Sequence, residues 1–301
     1  MSSLHVAAAQ YPIEQLKDLA SYEVKLARWV AQAAESGAQL LLFPEYGLLE
    51  LASLFRQLGR DDRRASIEKL QDALSEVDAL HAALARRHEV HILASSAPVR
   101  QIDGGFVNTA RLFAPSGAVG SQETLMPTRF EREHLGIDPG HGCFVFETTL
   151  GRLGIALGYD AEFPLLVRTL AEADARLILA PSCATTPDGY HGMRIACAAR
   201  ALENQCYVVQ CAAIGQAPWP TPLNANFGAA GFFAPPGSEF SPDGAIARGE
   251  MNQPGWVHAQ LDLDMLDRQR QGRETENFVH WSEQPGVPVL PQAEVVNLVS
   301  A

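Results

Sequence analysis

Apolar residues occur in short blocks along this chain. Residues 4–10, 39–43, 91–95, 107–113, 153–157, 176–180 and 207–211 are brief apolar runs, most of them closed by a turn or polar signal. Runs of that length predict strands covered on both faces. Between them the apolar positions open out to helical spacing. Residues 21–36 carry Val24, Leu26, Trp29 and Val30 and stop at Gly37, a residue type common just past helix ends. Residues 61–87, rich in Ala, Leu, Glu and Arg, predict one long helix or two joined ones, and 163–173 and 189–204 predict two more. Strand and helix alternate without a long linker or repeat, which predicts a single α/β domain, placed here at residues 1–282. Some strand runs follow each other directly (90–96, then 106–114), so part of the sheet should be antiparallel and the whole mixed. Residues 283–301, with Pro285, Pro288 and Pro291 among valines and leucines, predict an extended arm that packs on a partner subunit.

Composition narrows the function classes. A chain of 301 residues with 47% hydrophobic and 19% charged residues can bury a sizeable core. Its formal charge of −12 argues against a general nucleic-acid or acidic-membrane surface. The first residues lack a basic stretch followed by an apolar one, and no apolar run approaches bilayer length, so a cytoplasmic location is expected. The five cysteines form no CxxC pair, and His88-Glu89-Val90-His91 is one residue short of a zinc-protease motif. Neither a metal nor another cofactor is expected.

Four segments carry candidate chemistry. They are Leu41-Leu42-Phe43-Pro44-Glu45; residues 122–131, reading QETLMPTRFE; residues 151–164, reading GRLGIALGYDAEFP; and Arg200 to Tyr207, reading RALENQCY. In this order and spacing they resemble the nitrilase (carbon–nitrogen hydrolase) superfamily over about residues 4–282. The resemblance implies a four-layer α-β-β-α sandwich and a homodimer or larger homo-oligomer. It further implies a site in which a cysteine attacks an amide or nitrile carbon, a glutamate acts as base, a lysine stabilises the oxyanion and a second glutamate assists. That chemistry needs a deprotonated thiol and a fixed positive charge beside the developing negative one.

Carried onto this chain, the base position falls on Glu45 and the second glutamate on Glu131, a residue that equally suits a helix start. The lysine position falls on Thr124, and no lysine follows Lys69. Arg129 corresponds to an arginine that accompanies the lysine in relatives, so it is a poor substitute. The nucleophile position falls on Gly158, which has no side chain to attack with but tolerates the turn of a nucleophile elbow. Losing a nucleophile in such enzymes typically costs on the order of a millionfold in rate. Tyr46, Tyr159 and Cys183 are candidates for the pocket. Ser182 with His191 lacks both the elbow sequence and the acid partner of a serine hydrolase.

Three readings follow. The first is a protein of this fold that binds a small molecule or a partner without hydrolysing it. The second is a divergent amidohydrolase using Cys183 or activated water, and the third a non-hydrolytic enzyme with Glu45 as acid or base. Two glutamates left without their lysine should share a proton and favour an amine-bearing ligand.

Overall fold

The computed structural model describes residues 3–55, 63–219, 224–237, 239–271, 277–284 and 293–299. In chain order the elements are β1 (Ser3–Pro12), α1 (Leu19–Glu35), β2 (Leu40–Leu42), α2 (Arg63–His88), β3 (His91–Leu93), β4 (Ala97–Arg100), β5 (Phe106–Phe113) and β6 (Val119–Glu123). They continue with β7 (Phe144–Thr148), β8 (Gly151–Ile155), α3 (Pro164–Glu172), β9 (Leu177–Ser182), α4 (Pro187–Asn204) and β10 (Tyr207–Gln216). The last are β11 (Ala225–Asn226), β12 (Gly231–Phe233), β13 (Ala245–Arg248), β14 (Gly255–Asp262), α5 (Leu263–Gln271), α6 (Asn277–His280) and β15 (Glu294–Asn297).

The strands run in the order β4-β5-β3-β2-β1-β10-β9-β8-β7-β15, with β6 on β5, β14 on β1 and β12 on β10. β1, β2 and β3 are parallel, as are β8, β9 and β10, while β5 pairs antiparallel with β3, β4 and β6. The two halves meet where Gln10–Pro12 run beside Ala212–Ile214. The sheet is therefore mixed, as expected.

Alternation along the strands explains the layering, because successive side chains leave a strand on opposite faces. Val6, Ala8, Leu40, Leu42, Leu177, Leu179 and Val209 join a core built almost wholly from strands. Their neighbours Ala7, Ala9, Leu41 and Phe43 instead meet Leu26, Trp29 and Val30 of α1 and Leu70, Leu74 and Val77 of α2. On the far side Ile178, Ala180 and Val208 meet Val167 and Leu170 of α3 and Met193, Cys197 and Ala201 of α4. Helix, sheet, sheet, helix is the four-layer order that the resemblance implied.

Local signals set the helix boundaries. Asp18 caps α1 by accepting from Ser21 N at 2.8 Å, and Gly37 follows the helix at φ +86°. Residues 63–88 form one helix rather than two. Of the proposed arm, Pro285, Pro288 and Pro291 lie outside the described residues. Its end is extended, but the neighbour there is β7 of the same chain, with Val295 opposite Val145, and Leu298 is buried between the sheets. Among the described residues, no helix is long and apolar enough to cross a membrane.

Candidate active-site cavity

The parallel strands deliver their carboxyl ends to one region, the usual place for a site in such sheets. Glu45 follows β2, Thr124 follows β6, Gly158 follows β8 and Cys183 follows β9. A cavity of about 290 Å³ opens there, and Glu45, Tyr46, Glu131, Tyr159, Glu162, Cys183 and Met193 are among its lining residues. The fold thus gathers five of the seven residues singled out in the sequence into one cavity wall. Thr124 and Gly158 are both buried and stand behind that wall.

Glu45 is nearly inaccessible, at 6% exposure. Its Oε1 accepts from Asn108 Nδ2 at 3.1 Å and its Oε2 accepts from the Cys183 backbone N–H at 3.1 Å. Burial pushes its carboxyl well above the usual range, and the charges of Glu131 and Asp160 push it further, outweighing those two donors. The left-handed turn at Tyr46 (φ +55°), whose N–H donates to Ser96 Oγ at 2.9 Å, accompanies a contact from the Tyr46 hydroxyl to Glu131 Oε1. Glu131 Oε2 accepts from both the backbone N–H and the hydroxyl of Thr128 at 2.6 Å. Glu131 therefore closes the turn that begins at Thr128 while also lining the cavity.

Thr124 stands where the resemblance sets a lysine. Its hydroxyl accepts from Asn108 Nδ2 at 3.2 Å, so Asn108 ties Thr124 to Glu45. The chain's lysines supply no charge here. Lys25 is held by Glu50 at 2.7 Å and by Pro12 O at 2.6 Å. Arg129 pairs with Glu133 at 2.8 Å on the surface, its side chain 87% exposed. Among the described residues, the cavity lining holds neither lysine nor arginine.

Gly158 takes φ +55°, the elbow conformation that glycine tolerates best. A Cβ built there would collide with the Glu45 carboxyl group. The Glu45 carboxyl group thus fills the space that a side chain at this position would enter. Asp160 was quoted in the sequence motif but not singled out. It accepts from Met126 N at 2.8 Å and Leu125 N at 3.0 Å, which pins the segment after Thr124 to the elbow. Burial raises its carboxyl to about 7, against the pull of those two N–H groups. Asn108 was also missed, since a lone asparagine within an apolar run carries no recognisable signal.

Cys183 lines the cavity, and its Sγ donates to Asn226 Oδ1 at 3.0 Å. Burial and the nearby carboxylates of Glu45 and Glu131 push its thiol well above the ordinary range, the opposite of what activates a nucleophile. Ser182 donates to Cys211 O at 2.8 Å, and His191 is exposed, so these two make no serine-hydrolase pair. No cluster of three or more metal-ligating groups occurs among the described residues.

A family model described as carbon-nitrogen hydrolase matches residues 5–271. The chain is 29% identical over 268 residues to a protein of Bacillus subtilis described as probable hydrolase YhcX, covering 89% of this chain and 52% of that one. It thus spans about half the length of that relative. It is 30% identical over 205 residues to a deaminated glutathione amidase of Synechocystis, covering 61% of this chain and 68% of the relative. Among solved structures, the C. elegans NitFhit protein superposes with a TM-score of 0.78 at 21% identity, over 98% of this chain and 68% of that one. A carbon-nitrogen hydrolase from Helicobacter pylori superposes with a TM-score of 0.75 at 15% identity, over 93% of this chain and 94% of that one.

Proposed function

Because the chain belongs to the carbon-nitrogen hydrolase family, we propose that it keeps the family's cavity to bind a small molecule without thiol-based hydrolysis. One observation carries this reading: the Glu45 carboxyl group occupies the space at Gly158 that an attacking side chain would need. The rest of the surroundings agree. Burial pushes the Glu45 carboxyl well above its usual range, so the charged form that a general base needs is disfavoured, and among the described residues the lining offers no fixed cation for an oxyanion. The acid-lined cavity suits the amine-bearing ligand expected from the sequence. A cytoplasmic homo-oligomer remains part of this reading.

A second reading, a non-hydrolytic enzyme in which Glu45 delivers a proton, draws support from the same raised carboxyl at the cavity wall. The use of Cys183 as nucleophile is disfavoured by the direction of its thiol shift.

The test is ammonia release from a panel of amides and nitriles by the chain, by Gly158→Cys, and by Gly158→Cys with Thr124→Lys. We expect ammonia from the double variant alone. Turnover by the unaltered chain that disappears in Glu45→Ala would overturn the binding reading.

A further inference from the structure

The cavity joins two unlike walls. At its floor are the carboxyl groups of Glu45 and Glu131, each 6% exposed. At its mouth are the rings of Phe130 and Tyr159, each 36% exposed, with the buried Met193 thioether alongside. The volume of about 290 Å³ lies near the bottom of the range for small-molecule sites, roughly 300–1,000 Å³. Its ligand is therefore small, polar at one end and apolar at the other.

Charge decides which polar end. The titratable groups facing Glu45 are Glu131 and Asp160, with the Cys183 thiol and the Tyr46 phenol. They come from four separate elements of the fold, and none carries a positive charge. An anionic ligand would add to a set of buried acids lacking a counter-ion, whereas an ammonium would supply that counter-ion. Primary ammonium N–H groups also match carboxylate acceptors, and the aromatic and thioether groups at the mouth suit a short apolar tail.

The free site has another route to neutrality, a proton held on Glu45. Resting on the binding function proposed above, the geometry points to an exchange: a primary ammonium ion with a short apolar tail enters the cavity as Glu45 releases its proton to solvent. Both protonated amine and protonated carboxyl are reactants, the ion pair and one free proton are products, and no covalent bond changes. The direction of the pH dependence follows. Below the pH at which free Glu45 ionises, the entering cation must expel a proton, so affinity rises with pH by up to tenfold per unit. Above it the dependence flattens, until the amine itself deprotonates near pH 10, about where a lysine would.

Benzylamine, benzyl alcohol, benzoate and benzamide are suitable probes, titrated by calorimetry in two buffers of contrasting ionisation enthalpy. Benzylamine should bind at least tenfold more tightly than benzyl alcohol or benzoate near neutral pH. It should release protons at pH values where free Glu45 holds its proton, and weaken as pH falls. Glu45→Gln should abolish both the release and the pH slope. Benzoate binding as well as benzylamine, or proton uptake by the unaltered chain, would overturn the exchange whatever the variant does. Release that persists in Glu45→Gln would remove Glu45 as its source and point to Asp160. Ammonia appearing from benzamide would sink the non-hydrolytic reading but leave the amine preference standing. If none of the probes bound and no ammonia appeared, the ammonium proposal alone would fail.

Discussion

At Gly158 two constraints coincide, a left-handed backbone and a Cβ position already filled by the Glu45 carboxyl group. Gly158→Ala should therefore lose about 2–4 kcal/mol in denaturant unfolding, from backbone strain plus the disturbed bonds to Asn108 and Cys183. Adding Glu45→Ala should return a measurable part of that loss, because the two residues compete for one space. Strict additivity of the two changes would refute the contact. Asp160 makes a second prediction. Its folded-state carboxyl, near 7, lies above its unfolded value near 3.8, so its contribution is full below about pH 4 and is lost as pH rises through 7. A shift of that size corresponds to on the order of 4 kcal/mol. Glu45 adds a term of the same sign. Thermal unfolding should therefore show stability falling from pH 5 to 8, with a shallower fall in Asp160→Asn, whose remaining oxygen can still accept from Met126. Identical slopes in the two proteins would mean that Asp160 is not protonated in the fold.

At the scale of elements, the loop that carries Glu45 and Tyr46 is held by a buried ion pair five residues on. Glu50 is fully buried and accepts from Lys25 of α1 at 2.7 Å, from the Tyr11 hydroxyl of β1 at 2.5 Å and from Glu14 N at 3.2 Å. The Lys25 ammonium also lies 4.2 Å from the centre of the Tyr11 ring. This pair joins helix, strand and loop at one point. Lys25→Met would leave the Glu50 charge buried without its cation and should cost about 3–5 kcal/mol. Lys25→Met with Glu50→Gln should cost clearly less, since no charge is then stranded. Equal losses by chemical denaturation in the single and double variants would count against that account.

Across the whole molecule, the strand-built core extends to the end of the described chain. β15 adds to β7, and Leu298, 2% exposed, closes that end of the core. Leu298→Ala should therefore destabilise by about 2–5 kcal/mol, the usual range for a buried leucine. A surface-like change, within about 0.5 kcal/mol, would show that this segment is not docked in solution.

Much of the fold was legible in the sequence, because burial on both faces writes itself as short apolar runs and helix packing as wider spacing. The runs at 39–43, 153–157 and 176–180 correspond to β2, β8 and β9, and the pattern at 21–36 to α1. Short edge pieces such as β11 and β13 escaped, since two to four partly buried residues carry too little pattern. Glu45, Glu131, Tyr46, Tyr159 and Cys183 were also legible as candidates, through motif order and residue chemistry. Only the tertiary structure decided how they act together. It set Glu45 into the space beside Gly158, placed Asn108 between Glu45 and Thr124, and brought Asp160 close enough to raise the Glu45 carboxyl further. The reason is physical: spacing along a chain records which face of an element is buried, whereas steric occupancy and charge coupling depend on distances between elements far apart in sequence.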